Sequence, residues 1–209
     1  TNVSHERFEY EVNYLNHEHV PSQNVTSLAY PIEKYNTTGS LFTPGRQIVI
    51  ARTKIGKDFP IAIRFSQWKQ QDYEARLVQT PDELGNFLSP LVTAGVDMFH
   101  ASNRRYWEPE FEGSELNLAG WTKKLTGLPT ITVGSVGLKS DFIGLYAGED
   151  AVESAPIDEL VARLDSEEFD MVAVGRALLS DPEWVKKIRE ERYDEIVPFE
   201  SKFAQSVYF

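Results

Sequence analysis

The chain of 209 residues contains no cysteine, which excludes disulfides as well as cysteine-ligated zinc and iron-sulfur sites. No apolar run approaches the roughly 18 residues of a membrane-spanning helix, and no signal-peptide pattern opens the sequence. Positive charge is also scarce, since 21 Lys and Arg stand against 32 Asp and Glu, for a net charge of -11. Nucleic acids and anionic membranes attract clustered basic residues. We therefore expect a cytoplasmic protein that binds neither nucleic acid nor membrane.

The most informative stretch that is present begins at Phe169 and reads FDMVAVGRALLSDPEW. Its run Met171 to Val174 is apolar and too short for a helix, so it predicts a strand buried on both faces. Beyond the strand, Asp181 and Pro182 predict a helix start. Aspartate caps the free N–H groups of a first turn, and proline suits the first helical position because its missing N–H would be unpaired there.

The dipeptide Gly175-Arg176 follows this strand directly. A glycine at the carboxyl end of a strand lets backbone N–H groups approach an anion closely, and a helix start beyond it adds partial positive charge. Arg176 adds a forked cation that can hold phosphate oxygens in pairs. The pattern is typical of half a phosphate site, although a plain strand-to-helix turn would show the same residues.

Residues 1–42 differ from the rest because they are polar, rich in Asn and Thr, and without a sustained hydrophobic period. We predict an irregular amino-terminal segment over residues 1–42 and a folded domain over residues 43–209. His17 and His19 flank Glu18, but with no third ligand in view the pattern indicates a solvated loop. We therefore expect no metal site.

From residue 43 onward, helical and strand patterns alternate. The predicted helices are a segment that ends at Gly56, Pro81 to Ala94 with Thr80 as its cap, Leu116 to Leu125, Ile157 to Leu164, and Trp184 to Glu191 as the last helix. The predicted strands are Phe59 to Phe65, Gly95 to Ala101, Pro129 to Val133, and Met171 to Val174. Crossovers of roughly 30 to 40 residues separate the strands, so they should pair in parallel and be apolar on both faces.

Two α/β architectures fit this alternation: part of a (β/α)8 barrel, or an open doubly wound sheet. The turn VGSVG at residues 133–137 is not G-x-G-x-x-G and comes late in the chain, which disfavours a dinucleotide-binding fold. The barrel instead binds phosphate between the loops after its last two strands. Those loops would be Gly134-Ser135 and Gly175-Arg176.

Arg64 places a charge inside the predicted strand FPIAIRF. A charge in a buried strand is costly unless it is paired or lies at the strand's open end. From the residues alone, an internal salt bridge and a ligand contact are both open.

Three stretches, IAIRFSQWK, HASNRRYWEPEFEGSELNLAGWTKKLTGLPTITVGSVGL and FDMVAVGRALLSDPEW, resemble in order and spacing the carboxyl-terminal half of the Old Yellow Enzyme family of NADH:flavin oxidoreductases. The resemblance is closest to the 12-oxophytodienoate-reductase-like branch. It implies a partial (β/α)8 barrel of about four carboxyl-terminal βα units that holds FMN at the carboxyl ends of its strands. It also implies hydride transfer from NADH or NADPH through FMN to the activated C=C bond of an enone.

The same resemblance implies roles for five residues. Arg64 resembles the family arginine that faces the pyrimidine edge of the flavin ring, where its cation would stabilise negative charge on the reduced flavin. Gly134 and Ser135 resemble the first phosphate loop, and Gly175 with Arg176 the second.

The family's enone-binding pair, His-x-x-His or His-x-x-Asn, has no counterpart in residues 1–42, and the resemblance assigns no catalytic residue. Four strands cannot close an eight-stranded barrel of about 250 residues, so their edges predict a cover, which could be a second copy or a partner that completes the barrel. Besides an ene-reductase, the sequence therefore leaves open a catalytically incomplete FMN-binding or interaction module.

Overall fold

The computed structural model describes residues 44–68, 74–140 and 151–205. The predicted amino-terminal segment, with His17 and His19, lies outside the described residues. The chain divides into two compact units: Thr1–Ala101 with Trp121–Thr130, and Ser102–Gly120 with Ile131–Phe209. The domain boundary near residue 42 stays a prediction.

Up to residue 133 the described elements alternate between helix and strand, as the sequence predicts. The helices are α1 (Pro44–Ile55), α2 (Pro81–Ala94), α3 (Leu118–Thr126), α4 (Asp158–Asp165), α5 (Arg176–Ser180), α6 (Trp184–Arg189), a 3-10 turn (Tyr193–Glu195) and α7 (Ser201–Gln205). The strands are β1 (Ala62–Ser66), β2 (Met98–Ser102), β3 (Thr130–Val133), β4 (Ala151–Val152), β5 (Met171–Val172) and β6 (Phe199–Glu200). Within these described ranges, no helix combines the length and hydrophobicity needed to cross a membrane.

Four strands lie in one sheet in the order β1-β2-β3-β5, which is also their order in the chain. The strands β3 and β5 are parallel, with Ile131 opposite Met171 and Thr132 opposite Val172. A doubly wound sheet reverses its strand order at a switch point, whereas a barrel keeps chain order around the ring. The fold is therefore α/β and forms a partial, unclosed (β/α)8 barrel. A separate antiparallel pair, β4 with β6, was not predicted from the sequence.

In the first unit, helix α2 has the predicted bounds because both of its ends are capped. The Thr80 hydroxyl accepts a hydrogen bond from the Glu83 backbone N–H at 3.2 Å, and the Glu83 carboxylate accepts one from the Gln79 N–H at 2.6 Å. At the other end Gly95 takes a left-handed conformation with φ 102°. Gly56, with φ 79°, follows α1 in the same way, as predicted.

Strand β1 carries its core residues on one side only. Ile63 and Phe65 are 7% and 2% exposed, and the Phe65 ring lies 6.1 Å from the Phe99 ring of β2. Ala62 and Arg64, on the opposite side, are exposed. The prediction of burial on both faces is therefore wrong for β1. That second side is the one that faces the interior of a closed barrel, and a partial barrel does not enclose it.

In the second unit, strand β5 is shorter than predicted and is also open on one side. It ends at Val172 rather than Val174, and Met171 is 37% exposed. The helix predicted to start at Asp181 is preceded by α5, which begins at Arg176 immediately after the strand's loop. The Asp181 carboxylate accepts a hydrogen bond from the Glu183 N–H at 3.2 Å, so it does cap the turn before α6.

Candidate functional site

The loop after β3 in the second unit requires a glycine at its first position. Gly134 has φ 136°, and a Cβ atom built there would lie 2.6 Å from the Asn103 carbonyl oxygen and 3.0 Å from that of Arg104. The Gly134 carbonyl accepts a hydrogen bond from the Tyr106 N–H at 3.1 Å. Any side chain at this position would therefore displace the segment that follows β2.

Ser135 follows in a conformation that is uncommon for a residue with a side chain. Its φ is 52°, and it is 8% exposed. The hydroxyl donates to the Arg104 carbonyl at 3.2 Å, and the Ser135 carbonyl accepts from the Leu138 N–H at 3.0 Å. These contacts hold the left-handed backbone at Ser135 in one geometry.

Arg176, the first residue of α5, reaches from the end of β5 to the end of β3. Its Nη2 atom lies 2.8 Å from the Ser140 carbonyl oxygen and 3.4 Å from the Ser135 hydroxyl. The guanidinium carbon also lies 5.7 Å from the centre of the Phe199 ring, within the range of a cation–π contact. The two loops that the sequence predicts to share a site thus lie beside each other.

Gly175 differs from Gly134 in its surroundings. It is exposed, has φ -108°, and a Cβ built on it would meet no atom within 4 Å. Packing within the described residues therefore does not demand a glycine here. Its predicted role, to let an anion approach the backbone, stays a prediction.

The donor set at these two loops fits a phosphate group. A guanidinium offers several N–H donors in a fixed plane. The Ser135 hydroxyl donates to the Arg104 carbonyl in this structure, and it would turn to the phosphate oxygens when a phosphate binds. Helix α5 has five residues, too short to contribute a useful dipole, so the positive charge that Arg176 brings to this loop comes from its guanidinium alone. The assignment of Gly134, Ser135, Gly175 and Arg176 to cofactor binding is compatible with this geometry and stays a prediction.

Arg64 belongs to the first unit, where it lies on the exposed side of β1. Partial burial of the guanidinium lowers the pKa of Arg64 from its ordinary value, but the group stays cationic at neutral pH. The role of Arg64 as a contact of the flavin ring stays a prediction.

His100 on β2 is a polar residue to which the sequence gave no role. Burial, together with the positive charge of Arg64, lowers the pKa of His100 to about 4. Its Nε2 atom is buried and has no hydrogen-bond partner among the residues that the structure describes. The only signal in the sequence was a histidine within the predicted strand GVDMFHA, next to the strand that carries Arg64.

A buried asparagine that the sequence analysis also missed supports the segment against which Gly134 packs. Asn117 is 0% exposed, and its amide donates to the Tyr106 carbonyl at 2.7 Å. Its side-chain oxygen accepts from the Gly120 N–H at 2.9 Å and so caps helix α3. One side chain therefore fixes both the helix start and the turn beside the Gly134 loop.

Comparison with known proteins finds relatives both by sequence and by fold. A protein named NADH oxidase from Thermoanaerobacter brockii is 34% identical over 158 residues, which are 71% of this chain and 21% of that protein. The structure of the old yellow enzyme homologue NCR from Zymomonas mobilis matches with a TM-score of 0.51 and 11% identity, over 85% of this chain and 48% of that one. No protein-family model matches the chain.

The chain spans only about a fifth of the length of the NADH oxidase and about half of the fold neighbour. The fold neighbour shows the architecture, and the sequence relative shows common descent. The comparisons thus confirm the resemblance of this chain to Old Yellow Enzyme-like proteins, of which it spans part of the barrel.

Proposed function

We propose that this chain is the FMN-binding part of an oxidoreductase that takes hydride from NADH or NADPH and delivers it to the activated C=C bond of an enone. The observation that carries the proposal is the convergence of Arg176 and Ser135, whose Nη2 and hydroxyl atoms are 3.4 Å apart at the ends of β5 and β3. A (β/α)8 barrel binds phosphate between the loops of its last two strands, which is where these two residues lie. The name of the sequence relative, NADH oxidase, supports the nicotinamide as the hydride source.

In this proposal Arg176 and Ser135 hold the phosphate, and the rigid Gly134 loop fixes the position of Ser135. FMN, when bound, supplies the redox chemistry between the nicotinamide and the enone. Arg64 provides a fixed positive charge where the reduced ring would carry negative charge, which favours reduction. The reduction of a C=C bond also requires a proton, and we assign no described residue as its donor.

The visible absorption spectrum of the purified chain, with and without added FMN, tests this proposal. We expect one FMN to bind per chain, and the flavin band to bleach when NADPH or NADH is added without oxygen. Bleaching that is reversed by cyclohexenone would support the enone as the final acceptor. A chain that takes up no FMN at any concentration up to about 1 mM would contradict the proposal.

A second function is favoured by the sequence of residues 1–42. The enone-binding histidine pair of the family has no counterpart in these residues. A module that binds FMN without reducing enones would fit this observation. FMN binding with bleaching by nicotinamide but no turnover of any enone would favour it.

We also propose that another polypeptide completes the barrel, either a second copy of this chain or a different partner. The exposed side of β1 and the 37% exposed Met171 of β5 are the positions that such a partner would cover. Light scattering gives the test: a monomer that binds FMN with full stoichiometry would show that the barrel needs no partner.

A further inference from the structure

The contact between Phe65 of β1 and Phe99 of β2 shows which positions of the two strands lie on the same side of the sheet. Phe65 and Phe99 are both buried, and their rings meet edge to face at a centroid distance of 6.1 Å. Successive side chains of a strand point to opposite faces. Arg64 and His100, each next to one of these rings in sequence, therefore lie together on the opposite side of the same two neighbouring strands.

The imidazole of His100 lies on this side with a buried Nε2 atom that has no hydrogen-bond partner among the described residues. Leaving a buried polar atom unpaired is costly, so native proteins rarely do so without a water or a ligand to satisfy it. Burial and, to a smaller extent, the positive charge of Arg64 lower the pKa of His100 to about 4, so the imidazole is neutral at physiological pH. A neutral imidazole has one donor and one acceptor nitrogen.

Arg64 and His100 together offer both the hydrogen-bond donors and the acceptor that the pyrimidine edge of a flavin requires, whereas Arg64 alone offers only donors. A guanidinium has five donors and no acceptor, so it can contact carbonyl oxygens but not a ring N–H. The pyrimidine edge of a flavin alternates carbonyl groups with an N–H group. A neutral histidine beside the arginine adds an acceptor for that N–H, or for a water bound to it.

We propose that His100 is a second binding residue for the flavin ring, acting beside Arg64 as the hydrogen-bonding partner that the arginine cannot be. This inference rests on the proposed function, since it concerns the same cofactor. With both residues, the site would bind rings that carry an imide, in which carbonyl groups alternate with an N–H group, more tightly than rings that lack the N–H group.

Two variants separate this role from simple packing. His100→Leu fills a similar volume without polar atoms, whereas His100→Gln places an amide near the position of Nε2. We expect His100→Leu to weaken FMN binding about 5- to 30-fold, the effect of one hydrogen bond to a buried group, and His100→Gln to stay within about threefold of the wild type. The visible band of bound FMN should shift in the leucine variant and return in the glutamine variant.

Fluorescence titration with FMN measures these affinities, and circular dichroism with thermal melting reports whether each variant is folded. If wild type and His100→Leu bind FMN with equal affinity and equal spectra, the inference is wrong while the proposed function stands. A wild type that does not bind FMN contradicts the proposed function itself. If the leucine variant fails to fold, nitrogen NMR of wild-type His100 decides: an Nε2 resonance that FMN leaves unchanged overturns the inference.

Discussion

Lys187 and Asp181 form an ion pair that is almost wholly removed from solvent. The Lys187 Nζ atom lies 2.8 Å from Asp181 Oδ2, and the two side chains are 11% and 3% exposed. Lys187 Nζ also donates to the Glu195 carbonyl at 2.8 Å, and Asp181 Oδ2 accepts from the Val197 N–H at 3.0 Å. The pair thus joins helix α6 to the segment that leads into β6.

We predict that Lys187→Met lowers the free energy of unfolding by about 3 to 5 kcal/mol, because it leaves the buried Asp181 carboxylate without its cation. Lys186→Met is the matched control, since the ion pair of Lys186 with Glu183 is exposed and should contribute less than about 1 kcal/mol. Urea unfolding followed by circular dichroism measures both. Equal stabilities of the two variants would show that the buried pair contributes no more than the exposed one.

The pH dependence of this pair has a definite sign. Burial alone would raise the pKa of Asp181, but the hydrogen bonds from Lys187 and from the Val197 and Glu183 N–H groups outweigh it and hold that pKa below its ordinary value. A carboxylate with a lowered folded-state pKa stabilises the protein above its unfolded pKa of about 3.9. That stabilisation is lost as the pH falls through the lower, folded-state pKa.

Gly134→Ala should be strongly destabilising, because the new Cβ would lie 2.6 Å from the Asn103 carbonyl in a backbone with φ 136°. We expect a loss of at least about 2 kcal/mol, the sum of backbone strain and displacement of the facing segment. Gly113→Ala is the control, since Gly113 also has a positive φ, 76°, but its Cβ would meet no atom within 4 Å. Chemical denaturation of the two variants separates strain from contact, and a smaller loss at Gly134 than at Gly113 would contradict the close approach.

The sequence predicts the ends of a helix well where capping residues close to those ends determine them. Thr80, Pro81 and Gly95 mark the ends of α2 by capping interactions that depend on a few neighbouring residues. The parallel pairing of β3 with β5 also follows, since the crossover between them is long enough for a helix. The loops of Ser135 and Arg176 are expected together for a different reason, because a (β/α)8 barrel binds phosphate between the loops after its last two strands.

The rest depends on contacts between residues that are distant in the chain. The apolar runs at β1 and β5 predict burial on both faces, but a partial barrel leaves Arg64 and Met171 exposed. The two-residue strands β4 and β6 carry no periodic signal at all. His100 was overlooked because its environment comes from Arg64 on a neighbouring strand, 36 positions earlier in the printed sequence.

His100 should remain neutral far into the acid range. Burial and the Arg64 charge lower its pKa to about 4, against an ordinary value of about 6.5. Well above pH 6.5, from about pH 7.5 upward, the folded and unfolded chains are both neutral at His100, so its contribution to stability is constant. As the pH falls from 6.5 to 4 the unfolded chain takes up the proton first, and stability decreases by at most about 1.4 kcal/mol per pH unit before levelling off.

Proton NMR titration of the His100 ring gives its pKa directly. The difference in unfolding free energy between wild type and His100→Gln, measured as a function of pH, separates the pH dependence due to His100 from that due to the carboxylates. Arg64→Leu should raise the His100 pKa part of the way toward 6.5, since burial remains when the charge is removed. A His100 pKa near 6.5 in the wild type would contradict the burial of the imidazole, and a His100 pKa that Arg64→Leu leaves unchanged would contradict the shared position of the two side chains.

Arg176→Ala tests the proposed phosphate contact most directly. The variant loses the guanidinium that lies within 3.4 Å of Ser135, and we expect FMN binding to weaken by about 1.5 to 3 kcal/mol, or roughly 10- to 150-fold. Arg189→Ala, on the exposed surface of α6, is the matched control and should bind like the wild type. Calorimetric titration with FMN and with riboflavin then locates the effect: the loss should appear with FMN and be absent with riboflavin, which has no phosphate. An equal loss with both ligands would mean that Arg176 acts on the fold of the loop rather than on the phosphate.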